Sequence, residues 1–531
     1  MSLISVVLAA AVGLSPIVPT PPPPVPSTQQ ARPHPFAPVP FPLPSGLDTA
    51  SKAPHTPEPG APPWCPPVPG RRVECGTEQR PLVAGKPELG TVEVAYALVR
   101  RENEAAPAKN TVMVNPGGPG GAPVVLAGWY SSLLGSLSAD HDLLLIDPRG
   151  TGYSGALVCG TDGFLWADRA EQRRIVDRCG ATLGPRAAGY TSAATADDFD
   201  AVRRKLGLGK VVLYGISYGT YLMPIYAERH PGTVRSIVLS GAYPVTFDPF
   251  GAPSARAISL SLRRICERSG ACDGGAAVRD LRKVAAMLRV GPVDLTITVG
   301  GRPQTVKLTE SVLAQILTFA ASGGLGGSPD EVSLIGAMPA QLHRAARGDT
   351  GPLVTAMTTL FQEIANQEIS DMGLTIAVVC NDYTRPWSVD APVRQRWRQF
   401  ERALKRADPH GFGAFSREGY AFSIPDGGEV CIGWPKEGTA RPYALSGKLP
   451  DVPTLVLSGD LDNNTAAENS RLSAAQFPRA RFLSVPNTGH VAEMDASGCA
   501  VGLVSGFIRD ERLGDTSCLA KIPPLKVNKP Y

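Results

Sequence analysis

Ser217, Asp462 and His490 combine the three side-chain types that activate a serine for nucleophilic attack, and they occur in the order serine, acid, histidine. Such a set can attack a carbonyl carbon, because the imidazole removes the hydroxyl proton and later protonates the leaving group. The carboxylate orients the imidazole and stabilises its charged form. The predicted chemistry is acyl transfer to water through a covalent acyl-enzyme.

Ser217 lies at the centre of the sequence Gly-Ile-Ser-Tyr-Gly, which begins at Gly215. A β-branched apolar run at 210–214 predicts a buried strand before it, and the pattern of 220–230 predicts a helix after it. G-x-S-x-G between a strand and a helix is typical of a nucleophile elbow, in which the backbone N–H of Tyr218 helps to bind the oxyanion. A surface turn is the alternative interpretation, since glycine and serine are common residues.

Asp462 and His490 each follow an apolar run that predicts a late core strand, at 452–458 and 480–485 respectively. Asp460 in the same loop is the alternative acid, and the G-x-x-D spacing favours Asp462. The other six histidines lie in a proline-rich segment, before a strand, at a helix end or among the helices of the middle region. Elimination therefore favours His490 as the general base.

The second oxyanion donor is expected in the sequence Asn-Pro-Gly-Gly-Pro-Gly-Gly at 115–121, which follows a predicted strand at 110–114. Glycine leaves the backbone N–H groups of such a loop unobstructed, and Gly118 is favoured over Gly117 as the donor. Ordinary turn chemistry is the alternative interpretation. The next predicted strand leads into Asp-Pro-Arg-Gly-Thr-Gly-Tyr-Ser at 147–154, a turn expected to shape the site rather than to react.

The composition narrows the class of protein. At 531 residues, with 43% hydrophobic residues, the chain can bury a large core, and its net charge of +4 comes from interspersed acids and bases, so no nucleic-acid partner is predicted. No C-x-x-C or H-E-x-x-H motif occurs, so neither a metal nor a cofactor is expected. Ten cysteines, an even number, instead indicate disulfides in an exported protein.

The N-terminal region predicts export. An apolar run at 3–14 has the length of the hydrophobic part of a signal peptide and is too short to span a bilayer, so residues 1–27 are assigned to a signal peptide. Residues 28–63 are rich in proline and predict an extended linker without a core. The mature protein is expected to be secreted or associated with the cell envelope, without a stable membrane span.

The three motifs at 115–121, 147–154 and 215–220, in this order on alternating strands, resemble the proline iminopeptidase and tripeptidyl aminopeptidase branch of the α/β-hydrolases. The resemblance extends from about residue 64 to the C-terminus and is weaker in the middle. It implies an α/β-hydrolase fold, with a mostly parallel sheet flanked by helices. It also implies a serine exopeptidase that removes residues from peptide N-termini, and many relatives of the tripeptidyl type are exported.

The predicted core is divided into two parts, at 64–244 and 446–531, and the second part is similar to the C-terminal segment of tripeptidyl aminopeptidases. Helical patterns between them predict a largely helical lid at 245–445, inserted between core strands. Relatives often carry an aspartate where this chain has Ser240. Four acids of the lid are therefore candidates to bind the substrate's amino group, although each is alternatively a solvated helix charge: Glu363, Glu368, Asp371 and Asp382.

Short separations, the export signal and the similar cysteine placement of the family together predict five disulfides: Cys65 with Cys75, Cys159 with Cys179, Cys266 with Cys272, Cys380 with Cys431, and Cys499 with Cys518. The predicted function is that of an exported serine hydrolase that releases short peptides, expected to be tripeptides, from free N-termini. A carboxylesterase or endopeptidase with the same triad is one alternative. A non-catalytic binding protein of the same fold is another.

Overall fold

The computed structural model describes residues 60–321, 324–366, 372–424, 428–435 and 443–530. The predicted signal peptide, and the predicted linker up to residue 59, lie outside the described residues. The described part of the chain contains an eight-stranded sheet with flanking helices, and a block of further helices lies between its sixth and seventh strands in sequence.

The main sheet has the strand order β1-β2-β4-β3-β5-β6-β9-β10. The pairs β1–β2 and β2–β4 are antiparallel and the other five pairs are parallel, which confirms the predicted fold class. The pattern did not predict β1. The strands are β1 (Val73–Pro81), β2 (Thr91–Val99), β3 (Asn110–Asn115), β4 (His141–Ile146), β5 (Val211–Ile216), β6 (Val234–Ser240), β9 (Thr454–Gly459) and β10 (Ala480–Val485).

The middle residues of the central strands are mainly apolar, because these strands are buried on both faces. Every residue of β3, β4, β5 and β9 is buried, as expected for parallel strands covered by helices on each side. The loops that follow β3, β5, β9 and β10 leave the carboxyl ends of mutually parallel strands, so they gather at one edge of the sheet. Those four loops carry the predicted oxyanion loop, Ser217, Asp462 and His490.

Two of the helices outside the inserted block begin with a capping residue that the sequence supplies. The side chain of Asp168 accepts a hydrogen bond from the backbone of α2, and Thr191 does the same for α3, which satisfies N–H groups that the first helical turn leaves unpaired. These helices are α1 (Ala127–Leu133), α2 (Arg169–Leu183), α3 (Ser192–Lys205), α4 (Gly219–Arg229), α13 (Ala467–Ala474) and α14 (Cys499–Asp510).

The block between β6 and β9, called the insert below, is mainly helical but also contains a hairpin, β7 (Val293–Val299) with β8 (Arg302–Leu308). The hairpin was not predicted, although β7 alternates apolar and polar residues as a half-buried strand does. The limits at 63/64, 244/245 and 445/446 stay predictions. The helices of the insert are α5 (Ala252–Ser269), α6 (Gly274–Val290), α7 (Glu310–Phe319), α8 (Leu334–Ala345), α9 (Gly351–Asn366), α10 (Gly373–Asp382), α11 (Val393–Arg406) and α12 (Arg417–Ala421).

Among the described residues, none of the helices combines the length and the apolar character that a bilayer crossing requires. The same residues contain no group of three or more histidine, cysteine, aspartate or glutamate side chains arranged to hold a metal ion.

Five disulfides join the ten cysteines, and none of the cysteines is free. The pairs are Cys65–Cys75, Cys159–Cys179, Cys266–Cys272, Cys380–Cys431 and Cys499–Cys518. The bond between Cys380 and Cys431 closes the longest loop, with a separation of 51 residues, and it attaches α10 to the C-terminal part of the insert.

The loop lengths predict unequal contributions to stability. Replacing Cys380 and Cys431 together by alanine is expected to lower the free energy of unfolding by about 4 kcal/mol, because a disulfide that closes a long loop restricts the unfolded chain more than one that closes a short loop. The matched pair Cys266 and Cys272, separated by 6 residues, is expected to contribute about 2 kcal/mol. Chemical denaturation of both double variants measures the difference. Equal losses would contradict the dependence on loop length.

Candidate active site

Ser217 occupies a tight turn between β5 and α4. Its φ of 56° lies in the left-handed region, and its N–H donates to the carbonyl of Ser240 at 3.0 Å. A Cβ on Gly215 would collide with the carbonyl oxygen of Gly219. A Cβ on Gly219 would lie 2.6 Å from the carbonyl oxygen of Asn115. The glycines on both sides are therefore required by close backbone approach, as the elbow hypothesis expects.

Asp462 faces His490 across a short hydrogen bond, with 2.9 Å between Oδ2 and Nδ1. The other oxygen, Oδ1, accepts from the backbone N–H groups of Asn464 at 2.8 Å and Thr465 at 2.9 Å, and the Thr465 hydroxyl donates to Oδ2. Burial alone would raise the pKa of the Asp462 carboxyl, but the facing imidazole and these hydrogen bonds outweigh burial and lower it. The arrangement favours an ionised Asp462.

The histidine loop packs against the strand end beside Ser217. A Cβ on Gly241 would lie 2.6 Å from the carbonyl oxygen of His490 and 2.9 Å from its Nδ1, so the two loops touch there. Gly241 directly follows Ser240, whose carbonyl accepts the Ser217 N–H. The Ser217 hydroxyl makes no hydrogen bond to a described residue. Catalytic hydrogen bonds are often long without substrate and shorten in the complex.

Asp460, the alternative acid, has a different environment. Its carboxylate lies 2.5 Å from the Arg268 guanidinium and accepts the backbone N–H of Asn487 at 2.9 Å. It makes no hydrogen bond to His490 in the described part of the chain. The structure therefore brings Asp462 to the imidazole and uses Asp460 to connect α5 with the loop after β10.

The oxyanion loop lies directly against the elbow. A Cβ on Gly117 would lie 2.7 Å from the Cβ of Ser217, so only glycine allows this approach. The Gly117 N–H already donates to the Asn115 side chain at 3.0 Å. The N–H groups of Gly118 and Tyr218 have no hydrogen-bond partner among the residues that the structure describes. Two unpaired donors beside a serine are what a developing oxyanion requires.

Asp147 holds the backbone near the oxyanion loop. Its fully buried carboxyl accepts the N–H of Val124 at 2.9 Å and that of Tyr153 at 2.9 Å. Burial raises its pKa to about 7, in spite of these two donors. Asp147 thus links the turn at 147–154 to the residues that follow the oxyanion loop, and the role of the turn in shaping the site stays a prediction.

Glu493, which the sequence analysis did not identify, joins three elements of the site. It accepts hydrogen bonds from the Tyr214 hydroxyl on β5 at 2.7 Å and from the Ser240 hydroxyl on β6 at 2.7 Å. It lies three residues after His490, and its burial raises its pKa. No local pattern marked it, because its partners are more than 250 positions away in sequence. Ser240 therefore serves to bind a buried carboxyl.

Of the four candidate acids for the amino group, only Asp382 has a described side chain, since those of Glu363, Glu368 and Asp371 lie outside the described residues. Asp382 is buried and is not a solvated helix charge. Its Oδ2 accepts from both the N–H and the hydroxyl of Ser192, each at 2.6 Å.

The insert covers the triad. Ser217 is 3% exposed and His490 is 1% exposed. The segment at the end of α7 closes over the acid and histidine loops, since the carbonyl of Ala321 accepts the His490 N–H at 2.9 Å and that of Leu317 accepts the Asn463 amide at 3.0 Å. The candidate catalytic side chains are therefore shielded from bulk water, which strengthens electrostatic interactions among them.

Burial of Asp382 predicts a pH-dependent stability. Burial raises its pKa from 3.8 to about 6, so the folded state keeps a proton that the unfolded chain releases. The resulting stabilisation is complete below about pH 4 and is lost as the pH rises through about 6, by a few kcal/mol. The Asp382→Asn variant keeps one oxygen that accepts both Ser192 donors, and it should not show this loss of stability with rising pH. Denaturation curves at several pH values measure the free energy of unfolding of both proteins, and parallel profiles would contradict the prediction.

Two family models match parts of this chain. The family model described as alpha/beta hydrolase fold matches residues 110–257, and the one described as TAP-like protein matches residues 424–518. Serine protease Hip1 of Mycobacterium tuberculosis is 25% identical over 477 residues, which cover 83% of this chain and 86% of that protein.

Two further relatives match shorter stretches. The tripeptidyl aminopeptidase of Streptomyces lividans is 27% identical over 186 residues, which cover 32% of this chain and 35% of the relative. The proline iminopeptidase of Neisseria gonorrhoeae is 28% identical over 134 residues, covering 24% and 34% respectively. The chain therefore has the α/β-hydrolase fold, and its sequence is similar to proteins of the proline iminopeptidase and tripeptidyl aminopeptidase branch.

Proposed function

We propose that the protein is a serine aminopeptidase in which Ser217 is the nucleophile, His490 the general base and Asp462 the residue that orients it. One observation carries the proposal: the buried Asp462–His490 pair packs against Gly241, next to the Ser240 carbonyl that accepts the N–H of the left-handed Ser217. The backbone N–H groups of Gly118 and Tyr218 are unpaired among the described residues. The names of the three relatives support a peptidase.

The proposed reaction assigns one step to each of these groups. His490 removes the proton from Ser217 as the hydroxyl oxygen attacks the scissile carbonyl carbon. The N–H groups of Gly118 and Tyr218 stabilise the resulting oxyanion, an effect worth roughly 3 to 4 kcal/mol for each donor. The imidazolium then protonates the leaving amine, and water attacks the acyl-enzyme with His490 again acting as base.

The proposed substrate is a peptide with a free α-amino group, from which the enzyme releases a short peptide, expected to be a tripeptide. The insert covers the site, which favours a closed cleft for the substrate. Burying the ammonium group of the substrate without a partner would be costly, so a carboxylate of the insert is expected to pair with that ammonium. Asp382 is already engaged by Ser192. The anchor role therefore falls first to Glu363, Glu368 and Asp371, outside the described side chains.

Export is part of the proposal. Five disulfides are typical of a protein that matures in an oxidising compartment, since thiols in a reducing cytosol stay reduced. The predicted signal peptide at 1–27 agrees with this location.

A pair of peptides that differ only in N-acetylation tests the substrate assignment. The free peptide should be cleaved, and the acetylated one should be cleaved at least about 100-fold more slowly, because blocking removes the charge that the anchor binds. Product masses report how many residues are released. Ser217→Ala is the control and should lose on the order of 10⁶ in kcat while remaining folded.

Equal cleavage of both peptides would replace this assignment with an endopeptidase or an esterase. If the free amine is required, single substitutions of Glu363, Glu368, Asp371 and Asp382 by their amides should identify the anchor as the change that raises KM most.

The choice between the two acids of the loop after β9 can be tested directly. Asp462→Asn should lower kcat by about 10⁴, because the amide no longer stabilises the imidazolium or selects its tautomer. Asp460→Asn is the matched control and should leave kcat within a few-fold of wild type, since its carboxylate pairs with Arg268. Comparable losses in the two variants would show that Asp462 has no special role.

A further inference from the structure

Helix α10 of the insert contacts both backbone elements that carry the proposed oxyanion donors. All ten of its residues are buried. Its first turn lies against the loop that contains Gly118, and its last residue is linked through one side chain to Tyr218. No step of the mechanism above uses these contacts.

The first contact involves Thr375. Its hydroxyl donates to the carbonyl of Pro119 at 2.5 Å. Pro119 directly follows Gly118, and a Cβ on the next residue, Gly120, would lie 2.8 Å from the Thr375 hydroxyl oxygen. The hydroxyl thus fixes the Pro119–Gly120 peptide unit, and a single peptide unit separates it from the one that presents the Gly118 N–H.

The second contact is a short chain of hydrogen bonds. Asp382 Oδ2 accepts the Ser192 hydroxyl at 2.6 Å, and the Ser192 oxygen lies 2.7 Å from the Tyr218 hydroxyl. The Tyr221 hydroxyl donates to the backbone carbonyl of Asp382 at 2.9 Å, so a second tyrosine of α4 holds the same end of α10. The ring of Tyr218 is buried, and its backbone N–H is the proposed donor.

The C-terminal end of α10 is itself firmly held. The Arg385 guanidinium donates to the carbonyl of Cys380 and, at 2.7 Å, to that of Asn381. The Asn381 side chain donates to the carbonyls of Ala187 at 2.8 Å and Tyr190 at 3.0 Å. With the Cys380–Cys431 disulfide, these bonds make α10 a fixed support rather than a loosely packed cover.

We propose that α10 is a positioning element of the oxyanion hole, in which Thr375 sets Gly118 and Asp382, acting through Ser192, sets Tyr218. The inference deepens the proposed function and rests on Ser217 being the nucleophile. Electrostatic stabilisation of an oxyanion depends on donors held in place before the reaction, so removing a support weakens the transition state more than the bound substrate. Thr375, Ser192 and Asp382 are positioning residues, because none of them is a donor to the oxyanion.

Three conservative variants each remove one support while leaving both backbone donors in place: Tyr218→Phe, Ser192→Ala and Thr375→Val. Each is expected to lower kcat about 10-fold with KM unchanged, which is the signature of a lost transition-state interaction. The double variant Ser192→Ala/Tyr218→Phe should lose no more than the larger single loss, because both changes break the same chain. Asp382→Ala should lose more activity than Asp382→Asn, which still offers an oxygen to Ser192.

Two matched variants remove buried hydroxyls elsewhere. Tyr226→Phe removes a hydroxyl of the same helix α4 that lies 3.0 Å from the Thr233 hydroxyl, and Thr318→Val removes one on α7 that lies 3.0 Å from the Tyr420 hydroxyl. They should lower thermal stability as much as the test variants do, with kcat unchanged. If activity falls in proportion to stability in both sets, the role of α10 is only structural and the proposal is overturned.

A fluorophosphonate probe separates this inference from the proposed function. The Ser217 oxygen attacks phosphorus, fluoride leaves, and His490 takes the hydroxyl proton. The rate of labelling therefore reports the reactivity of the nucleophile and the strength of the oxyanion hole, and it does not depend on peptide binding. A wild-type protein that is not labelled would overturn the proposed function, and the inference with it. Labelling of the wild type with an equal rate in Ser192→Ala and Thr375→Val would overturn the inference alone. The expected result is about 10-fold slower labelling in both variants.

Discussion

The left-handed backbone of Ser217 is the constraint on which the site depends. It brings the carbonyl of Gly219 against Gly215 and that of Asn115 against Gly219, so a side chain at either glycine would displace the turn. A non-glycine residue in this conformation is costly and persists only where its surroundings fix it. The surroundings here are strands β3, β5 and β6, which are buried along most of their length. The oxyanion loop, Ser217 and Ser240 therefore keep fixed relative positions, and the geometry of the reaction begins in the packing of the sheet.

Four buried carboxyl groups surround this turn, and their environments separate their roles. Asp462 faces an imidazole and receives four hydrogen bonds, so its pKa is lowered in spite of burial. Asp147, Asp382 and Glu493 accept bonds only from backbone N–H groups or hydroxyls, and burial raises the pKa of each. A carboxyl that is easily protonated cannot stabilise an imidazolium. One acid is therefore suited to the chemistry, while three hold the loops that carry it.

The sequence predicts the parts of this site that are local. The strands that precede the site loops contain short apolar runs, and the turn residues that follow them have recognisable spacings, so the elbow, the oxyanion loop and the two candidate acids could be located. The sequence could not predict that Ser192 binds Asp382 or that Glu493 binds Tyr214. These contacts join residues that are 190 and 279 positions apart. The hairpin β7–β8 was missed for another reason: its alternating pattern lies within a region where helical patterns prevail.

The position of the insert explains why the supports of the site are distant in sequence. A hydrolase core alone would leave Ser217 facing water, where dipoles reorient and each hydrogen bond to an oxyanion is weak. The insert excludes water, and any polar group it buries must find a partner, so its own hydroxyls and carboxyls bond to the nearest backbone and side chains. Those lie in the loops at the carboxyl edge of the sheet. The same packing that closes the site thus links Thr375 and Asp382 to the two donor elements. Under the proposed function, a change in the insert that alters which peptide fits would also alter how well the oxyanion is held, so the proposal couples specificity to rate.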